Sequence, residues 1–549
     1  MKSPFILPVS VAILMGTILI LQPSCKKKDA AEPDYLTVDL PNSTLQNDLY
    51  YSVNEHVRYI EMEFSESIDS TTVQGNISFS DKGSSLDNSV SLESLNRMVV
   101  LKFDTSFHLK NGWQYHITIG TGLRSVTGKT FASQKIIDVR TPSFSLSDDI
   151  TTRNAILCIS DIHMGEQRAT LNKYSWFNKN DSALTHLLDY VLTSSQVKQV
   201  VILGDLFDEW VIPYRFPPFD PGLGVTDSRG YFLSVANSPV NIPVLTKLKA
   251  IALRSDIQLI YVPGNHDMLL TQSVLQEIIP GIIWKGTANG MGEDFPVDEI
   301  VMEHGHRFDL FNCPQPLVNP GHMLPPGFFV SRLQAECSRT HMGTMMKEAS
   351  DAKTSYFFSP AWRVALDYLE LTYNLPVNED SVNIQMSGID GYTSLFSYNS
   401  AKAMYEANIE DNWANTQRYT GVPVSLNVLE GILDGQIDLY STVCHEYFSA
   451  VAPVKYKMAV LGHTHNPEIK VYPAGKNYTA IYANSGSWVN EELSTKKVRT
   501  FLLIWPGQWS GSPLDIVSLY QYNLDSGSGL PDPGYIPVLL AEESILRGN

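Results

Sequence analysis

The chain has 549 residues, 43% hydrophobic and 18% charged, with 40 Lys or Arg against 58 Asp or Glu and a formal net charge of −18. This composition holds enough apolar material for several cores and excludes disorder, collagen-like repeats and coiled coil. At roughly 100–200 residues per domain the length implies two to four domains, and the acidic balance speaks against general binding to nucleic acid or to an anionic membrane surface.

Lys2 leads into an uncharged, mostly apolar run from Phe5 to Leu21, followed by Gln22-Pro-Ser-Cys25 and the triplet Lys26-Lys-Lys28. The run is short, and Pro4 and Pro8 break it, so residues 1–24 read as a secretory signal rather than a membrane span. Cys25 after a small residue resembles the cleavage and acylation site of bacterial lipoproteins. The resemblance implies an exported protein of the cell envelope, anchored to the membrane through lipid on Cys25 and facing the periplasm or the cell surface. Gln22 departs from the aliphatic residue of that pattern, and an ordinary cleaved signal is the alternative. Cys158, Cys313, Cys337 and Cys444 are too few for a disulfide scaffold in so long a chain. Cys158 lies in an apolar run and reads as a packing residue.

Residues 25–40 are polar, contain Pro33 and read as a linker. Over 41–147 the pattern has period two: Ile60, Met62 and Phe64 alternate, as do Val99, Leu101 and Phe103, and Tyr115, Ile117 and Ile119. Ser, Asn, Asp and Gly clusters punctuate these runs, the mark of a small all-β antiparallel sandwich. Phe64-Ser-Glu-Ser-Ile-Asp69 and Leu109-Lys-Asn-Gly-Trp-Gln-Tyr115 followed by Gly128 resemble bacterial Ig-like domains, which implies a spacer or interaction module without chemistry of its own.

From Asn154 the grammar becomes α/β, with apolar β-rich runs alternating with longer helical stretches. Ala155–Ser160 ends in Asp161-Ile-His163, and Val200–Leu203 in Gly204-Asp205-Leu-Phe-Asp208. Leu259–Val262 is followed by Gly264-Asn265-His266-Asp267, Ile300–Met302 by Glu303-His304-Gly305-His306, and Met458–Leu461 by Gly462-His463-Thr464-His465. Thr479–Ala483 precedes Asn484-Ser485-Gly486. Each cluster alone has an ordinary explanation as a turn, a cap or a satisfied histidine. Five in succession, each at a strand end, do not, because ligands of open sheets gather at the carboxyl ends of strands.

This constellation resembles the calcineurin-like metallophosphoesterase superfamily over residues 155 to about 490. The resemblance implies an α/β sandwich of four layers and hydrolysis of a phosphate ester by a hydroxide bridging two metal ions. By position, Asp161, His163 and His465 hold one ion and Asn265, His304 and His463 the other, with Asp205 shared. His266 is the catalytic histidine, oriented by Asp267. Paired divalent ions suit the chemistry, since they clamp the attacking and leaving oxygens of an in-line displacement. Four His, two Asp and one Asn without a thiolate favour two transition ions, Mn, Fe, Zn or Co, over Ca or Mg alone.

Asp208 is read either as a hydrogen-bond partner of a ligating His or as a cap, and His306 as a site-lining or solvent-facing residue. Asn484-Ser485-Gly486 is expected to shape the floor of the site as a turn. Trp210-Val-Ile-Pro-Tyr214-Arg-Phe216-Pro-Pro-Phe219 either stacks on a base, sugar or lipid chain or packs over the sheet edge. Within a domain expected over 152–525, the stretch about 307–457 is expected to be a mostly helical cap, from the spacing of Trp362, Ala365, Leu366, Leu369 and Tyr373. Arg307, Arg332, Arg339, Lys347 and Arg363 are candidate phosphate contacts, or ordinary surface and salt-bridge residues. Residues 526–549 read as a C-terminal tail. The expected substrate is a phosphate-ester small molecule or lipid, with nucleic acid excluded apart from nucleotides as substrates. Two alternatives stay open: a pyrophosphatase similar to the enzymes that cleave UDP-diacylglucosamine, and a non-catalytic surface-binding lipoprotein on the same scaffold.

Overall fold

The structure, a computed structural model, describes residues 35–141, 153–340, 383–422, 439–448 and 456–547, less short stretches inside these ranges. The signal, Cys25 and the helical spacing from Trp362 to Tyr373 lie outside the described residues. The chain forms two compact units that part at Arg140 and Thr141.

The first unit is a β-sandwich. One sheet has the order Val38–Asp39, Tyr59–Phe64, Met98–Phe103, Val90–Leu95, and the other runs from Thr44–Gln46 through Tyr50–Ser52, Lys135–Arg140, Gln114–Ile119 and Ile77–Asp81 to Ser84–Ser85. The period-two residues point inward as their alternation requires: Ile60, Met62, Phe64, Leu101, Ile117 and Ile119 are all buried. Phe79 of one sheet meets Phe103 of the other at 5.6 Å between ring centroids.

The second unit is a four-layered α/β sandwich. Its larger sheet has the order Ile283–Trp284, Gln258–Val262, Val197–Leu203, Ala155–Ile159, Thr500–Trp505, Leu514–Leu524, Tyr535–Leu546. The first four strands are parallel and the last three antiparallel. The smaller sheet runs Glu293–Val297, Ile300–Glu303, Met458–Leu461, Tyr478–Asn484, Glu468–Gly475. Ala155–Ile159 is buried along its whole length, as a parallel strand covered on both faces must be. Its Ile156 and Cys158 join Val201, Leu203, Ile300, Met302 and Val460 in the core between the sheets. Leu157 and Ile159 face the opposite way, onto helices Asp181–Thr193 and Ile242–Ala252. Helix Leu439–Tyr447 covers the outer face of the smaller sheet through Leu439, Val443 and Cys444.

Two expectations need correction. The supposed C-terminal tail supplies Tyr535–Leu546, an edge strand paired with Leu514–Leu524 from Tyr535 against Leu524 to Leu546 against Leu514, so the sheet extends past residue 525. The stretch 307–457 is not simply a helical cap. Besides helices Pro326–Thr340 and Ile409–Thr420 it contains the hairpin Asn383–Gln385 and Leu395–Ser397, and helix Leu439–Tyr447 belongs to the sandwich itself. Among the described residues no helix is long and apolar enough to cross a membrane.

Candidate metal centre

The five clusters meet at the carboxyl ends of the parallel strands of both sheets. The backbone there is unusual: Asp161, His163, Asp205, His463 and His465 all have φ between 51° and 69°. This left-handed conformation costs a non-glycine residue free energy, and it is tolerated where the surrounding fold imposes it for function. The glycines beside these residues answer to space. A Cβ on Gly264 would lie 2.0 Å from Asp205 Oδ1, and one on Gly204 would lie 2.4 Å from His304 Nδ1.

His304, His163 and His463 each turn one ring nitrogen to an anchor and the other into the cluster. His304 Nδ1 donates to the Leu203 carbonyl at 2.6 Å, leaving Nε2 3.4 Å from Asp205 Oδ2 and 3.0 Å from Asn265 Oδ1. His163 Nδ1 rests on Asp208 Oδ2 at 3.2 Å, with Nε2 3.1 Å from His465 Nε2 and 3.7 Å from Asp205 Oδ2. His463 sets Nε2 on Asp309 Oδ2 at 3.4 Å and Nδ1 on Asn265 Oδ1 at 3.1 Å. Such outer partners fix the tautomer that leaves the inner nitrogen a lone pair.

The carboxylates complete the set. Asp161 Oδ2 accepts the His463 backbone N–H at 2.9 Å, and Oδ1 lies 3.2 Å from His465 Nε2. Asp205 Oδ1 accepts the His266 N–H at 2.8 Å, which leaves Oδ2 between His163 and His304. Burial works to raise both carboxyls, but the facing histidines outweigh it. They hold Asp161 at about 2 and Asp205 well below the carboxylate range. Buried anions converging with histidine lone pairs, two of which oppose each other at 3.1 Å, make a donor set that fits divalent cations. All seven expected ligands are thereby brought together.

His266 lies beside this set, its ring 4.5 Å from that of His163 and at right angles to it. Its anchor differs from expectation. Asp267 does not orient it: that carboxylate turns back under the loop to accept the backbone N–H groups of Gly264 and Leu206 at 3.1 and 3.0 Å. Burial and the charge of Asp205 push its carboxyl up to about 7. Asp208 takes the orienting role, with Oδ1 3.2 Å from His266 Nδ1.

His306 does not face solvent. It is buried with Nε2 donating to the Gly290 carbonyl at 3.0 Å and its ring 5.3 Å from that of His304. Asn484 donates to the Gly462 carbonyl at 2.6 Å and accepts the Gly486 N–H at 2.9 Å, so it shapes the floor. Two arginines proposed for phosphate are occupied elsewhere. Arg307 is buried against Glu303 at 2.7 Å and donates to the Gly421 carbonyl at 3.1 Å; Arg332 is bonded to backbone carbonyls. The side chains of Arg339, Lys347 and Arg363 lie outside the described residues. Asp309 was missed by sequence reasoning, although it follows His304 and His306 within the same short segment. Trp176 was missed too: its ring lies 5.0 Å from His163 and 5.6 Å from His266, and the side-chain Oδ1 of Asn490, accepting the N–H groups of Asn178 and Lys179, holds its loop.

Residues 155–330 match the calcineurin-like phosphoesterase family and residues 48–145 the bacterial Ig-like domain family. No curated protein matches the chain. Among solved structures it is similar to purple acid phosphatase PPD1 from yellow lupin, at 10% identity over 90% of this chain and 73% of that one, with a TM-score of 0.25. It is also similar to nuclease MPE from Pseudomonas putida, at 16% identity over 27% of this chain and 53% of that one, with a TM-score of 0.16. The N-terminal part of the bacterial S-layer protein SbsC aligns at 14% identity over 24% of this chain and 28% of that one, with a TM-score of 0.15; this chain thus spans well under two thirds of the last two proteins. The chain carries a calcineurin-like phosphoesterase domain, preceded by a bacterial Ig-like domain.

Proposed function

We propose that the protein is an exported phosphoesterase working with two divalent transition ions, one held by Asp161, His163 and His465, the other by Asn265, His304 and His463. The observation that carries this reading is the position of Asp205 Oδ2, 3.7 Å from His163 Nε2 and 3.4 Å from His304 Nε2, where one anionic oxygen serves both sets. Two such ions, when bound, neutralise charge on the phosphoryl oxygens and activate water for in-line attack.

The chain's own residues supply the rest. Asp208 holds Nδ1 of His266, so Nε2 is the nitrogen available to give a proton to the departing oxygen. Asp267 fixes the loop that presents His266, through the backbone rather than the ring. The strained ligand backbone and the anchors on His163, His304 and His463 keep the donors in place before any substrate arrives. A complete donor set in which His163, His304 and His463 are anchored supports a working site over a retired scaffold. The Ig-like domain, the signal and Cys25 support a place in the cell envelope, with lipid on Cys25 as the anchor.

The test is a screen of the mature protein, loaded in turn with Mn, Fe, Zn and Co, against aryl phosphate monoesters, diesters and nucleotide-sugars. Turnover that disappears with chelator and returns with metal is expected, and the preferred substrate separates esterase from pyrophosphatase. A fully loaded protein inactive on every class would overturn the reading.

A further inference from the structure

We propose that Trp210 and Arg332 form a positioning device for His266, through which the insertion after His306 becomes part of the catalytic apparatus. This rests on the reading of His266 as proton donor. Trp210 stacks on the His266 ring, with centroids 4.6 Å apart and planes 26° apart. It is fully buried, so substrate does not reach it. Its indole N–H is also buried, with no hydrogen-bond partner. Burying an unpaired donor costs free energy that Phe or Leu would not incur, so hydrogen bonding gives no reason for Trp here. What the indole offers is its broad face, and His266 lies on that face.

Trp210 is also contacted by the insertion. A Cβ on Gly327, in the first turn of helix Pro326–Thr340, would come within 3.0 Å of Trp210 Cζ3, and Phe328 sets its ring at 86° to the indole, with centroids 6.1 Å apart. One turn further on, Arg332 is completely buried. Its Nε donates to the Ile212 carbonyl at 2.6 Å, and Nη2 donates to the carbonyls of Phe216 at 2.6 Å and Pro213 at 3.3 Å. Nη1 reaches the Gln385 carbonyl at 3.1 Å, and the Arg332 carbonyl itself accepts the Tyr214 N–H at 3.0 Å. The guanidinium therefore ties the segment after Trp210 to the helix and to the strand Asn383–Gln385. A buried cation is expensive to retain, and this one has organised a whole loop around itself. Asp208 completes the arrangement: its Oδ1 accepts the Trp210 and Val211 N–H groups at 2.9 and 2.8 Å while it holds His266 Nδ1. The ring is thus fixed at its edge by Asp208 and across its face by Trp210.

The test is a double-mutant cycle between Trp210→Leu and His266→Asn, read on an alkyl phosphate, a poor leaving group, and on an aryl phosphate with an acidic phenol. Misplacing a reacting group by about 1 Å can cost about 100-fold. Trp210→Leu is therefore expected to lower kcat on the alkyl ester about 10–100-fold with little change in KM. The loss should be smaller on the aryl ester and under about twofold when His266 is already Asn. Trp210→Phe should recover most of it, and Arg332→Met, if it folds, should repeat it. In metal-free protein, the His266 ring-proton NMR signals should move in Trp210→Leu as the indole ring current is removed. Equal losses in both backgrounds, unmoved ring signals, or normal turnover of Trp210→Leu on the alkyl ester would overturn the proposal. If His266→Asn itself costs nothing, the proton-donor reading fails with it, while the ring signals still report whether the stack exists.

Discussion

Asp208→Asn should separate the two proposed ion sites. In the native fold Oδ1 accepts the N–H groups of Trp210 and Val211 at 2.9 and 2.8 Å, while Oδ2 faces His163 Nδ1 at 3.2 Å. An Asn must keep its carbonyl oxygen on the two backbone donors, because turning its NH2 toward them would leave two buried N–H groups unpaired at about 1–3 kcal/mol each. The NH2 group then faces His163 Nδ1, which must become an acceptor. The His163 proton moves to Nε2, the nitrogen that points at His465 and Asp205. One ligand of the ion proposed at Asp161, His163 and His465 loses its lone pair, and the other set keeps its anchors. Loss of such an outer partner weakens metal binding about 10–100-fold, or about 1.4–2.7 kcal/mol. Titrating the apoprotein with Mn(II), followed by calorimetry and electron paramagnetic resonance, should show one class of site weakened by that factor and the other unchanged. Equal weakening of both classes, or of neither, would refute the tautomer argument.

Asp205→Asn should lower occupancy at both classes of site together in the same titration, because one oxygen serves both sets. Glu209 is buried, with Oε1 accepting the Leu269 N–H at 2.9 Å, and burial pushes its carboxyl well above the usual range. The stability that its protonated form contributes is complete below the ordinary value of about 4.5 and is lost as pH rises toward the raised one. Glu209→Gln cannot ionise, so its Tm should exceed wild type by a margin that grows from about pH 4.5 upward. Equal melting of the two proteins from pH 4 to 8 would show that Glu209 has no such penalty.

How much was legible in the sequence follows from what each residue's neighbours are. Strand-end clusters announce themselves because a buried parallel strand reads as a continuous apolar run, and reactive residues just after it stand out. All seven expected ligands converge for that reason. The partner of His266 was not legible. Asp267 is adjacent in sequence, but the turn that presents the His266 ring directs the next side chain back onto the backbone N–H groups of Gly264 and Leu206. Asp208, distant in sequence, arrives through the neighbouring strand. Asp309 was hidden likewise, since its contact with His463 joins two sheet-end loops and has no period. The last strand read as a tail because Pro537 and the Pro/Gly-rich residues before it break the pattern. An edge strand tolerates Pro, whose missing N–H takes nothing from a central ladder, and Pro537 sits opposite Tyr522. The arginines of the insertion drew attention as charges, yet Arg332 serves as a hydrogen-bond hub whose carbonyl partners carry no sequence signature.

The central claim is that one phosphoesterase site works with two ions sharing Asp205. Its most direct test is to titrate metal-free protein with Mn(II) or Zn(II) while following both bound metal and turnover of an aryl phosphate. Turnover that stays low through the first equivalent and rises to its plateau with the second is the expected result, with about two ions bound per chain at saturation. Full turnover at one equivalent, or turnover unaffected by stripping the metal, would contradict the account.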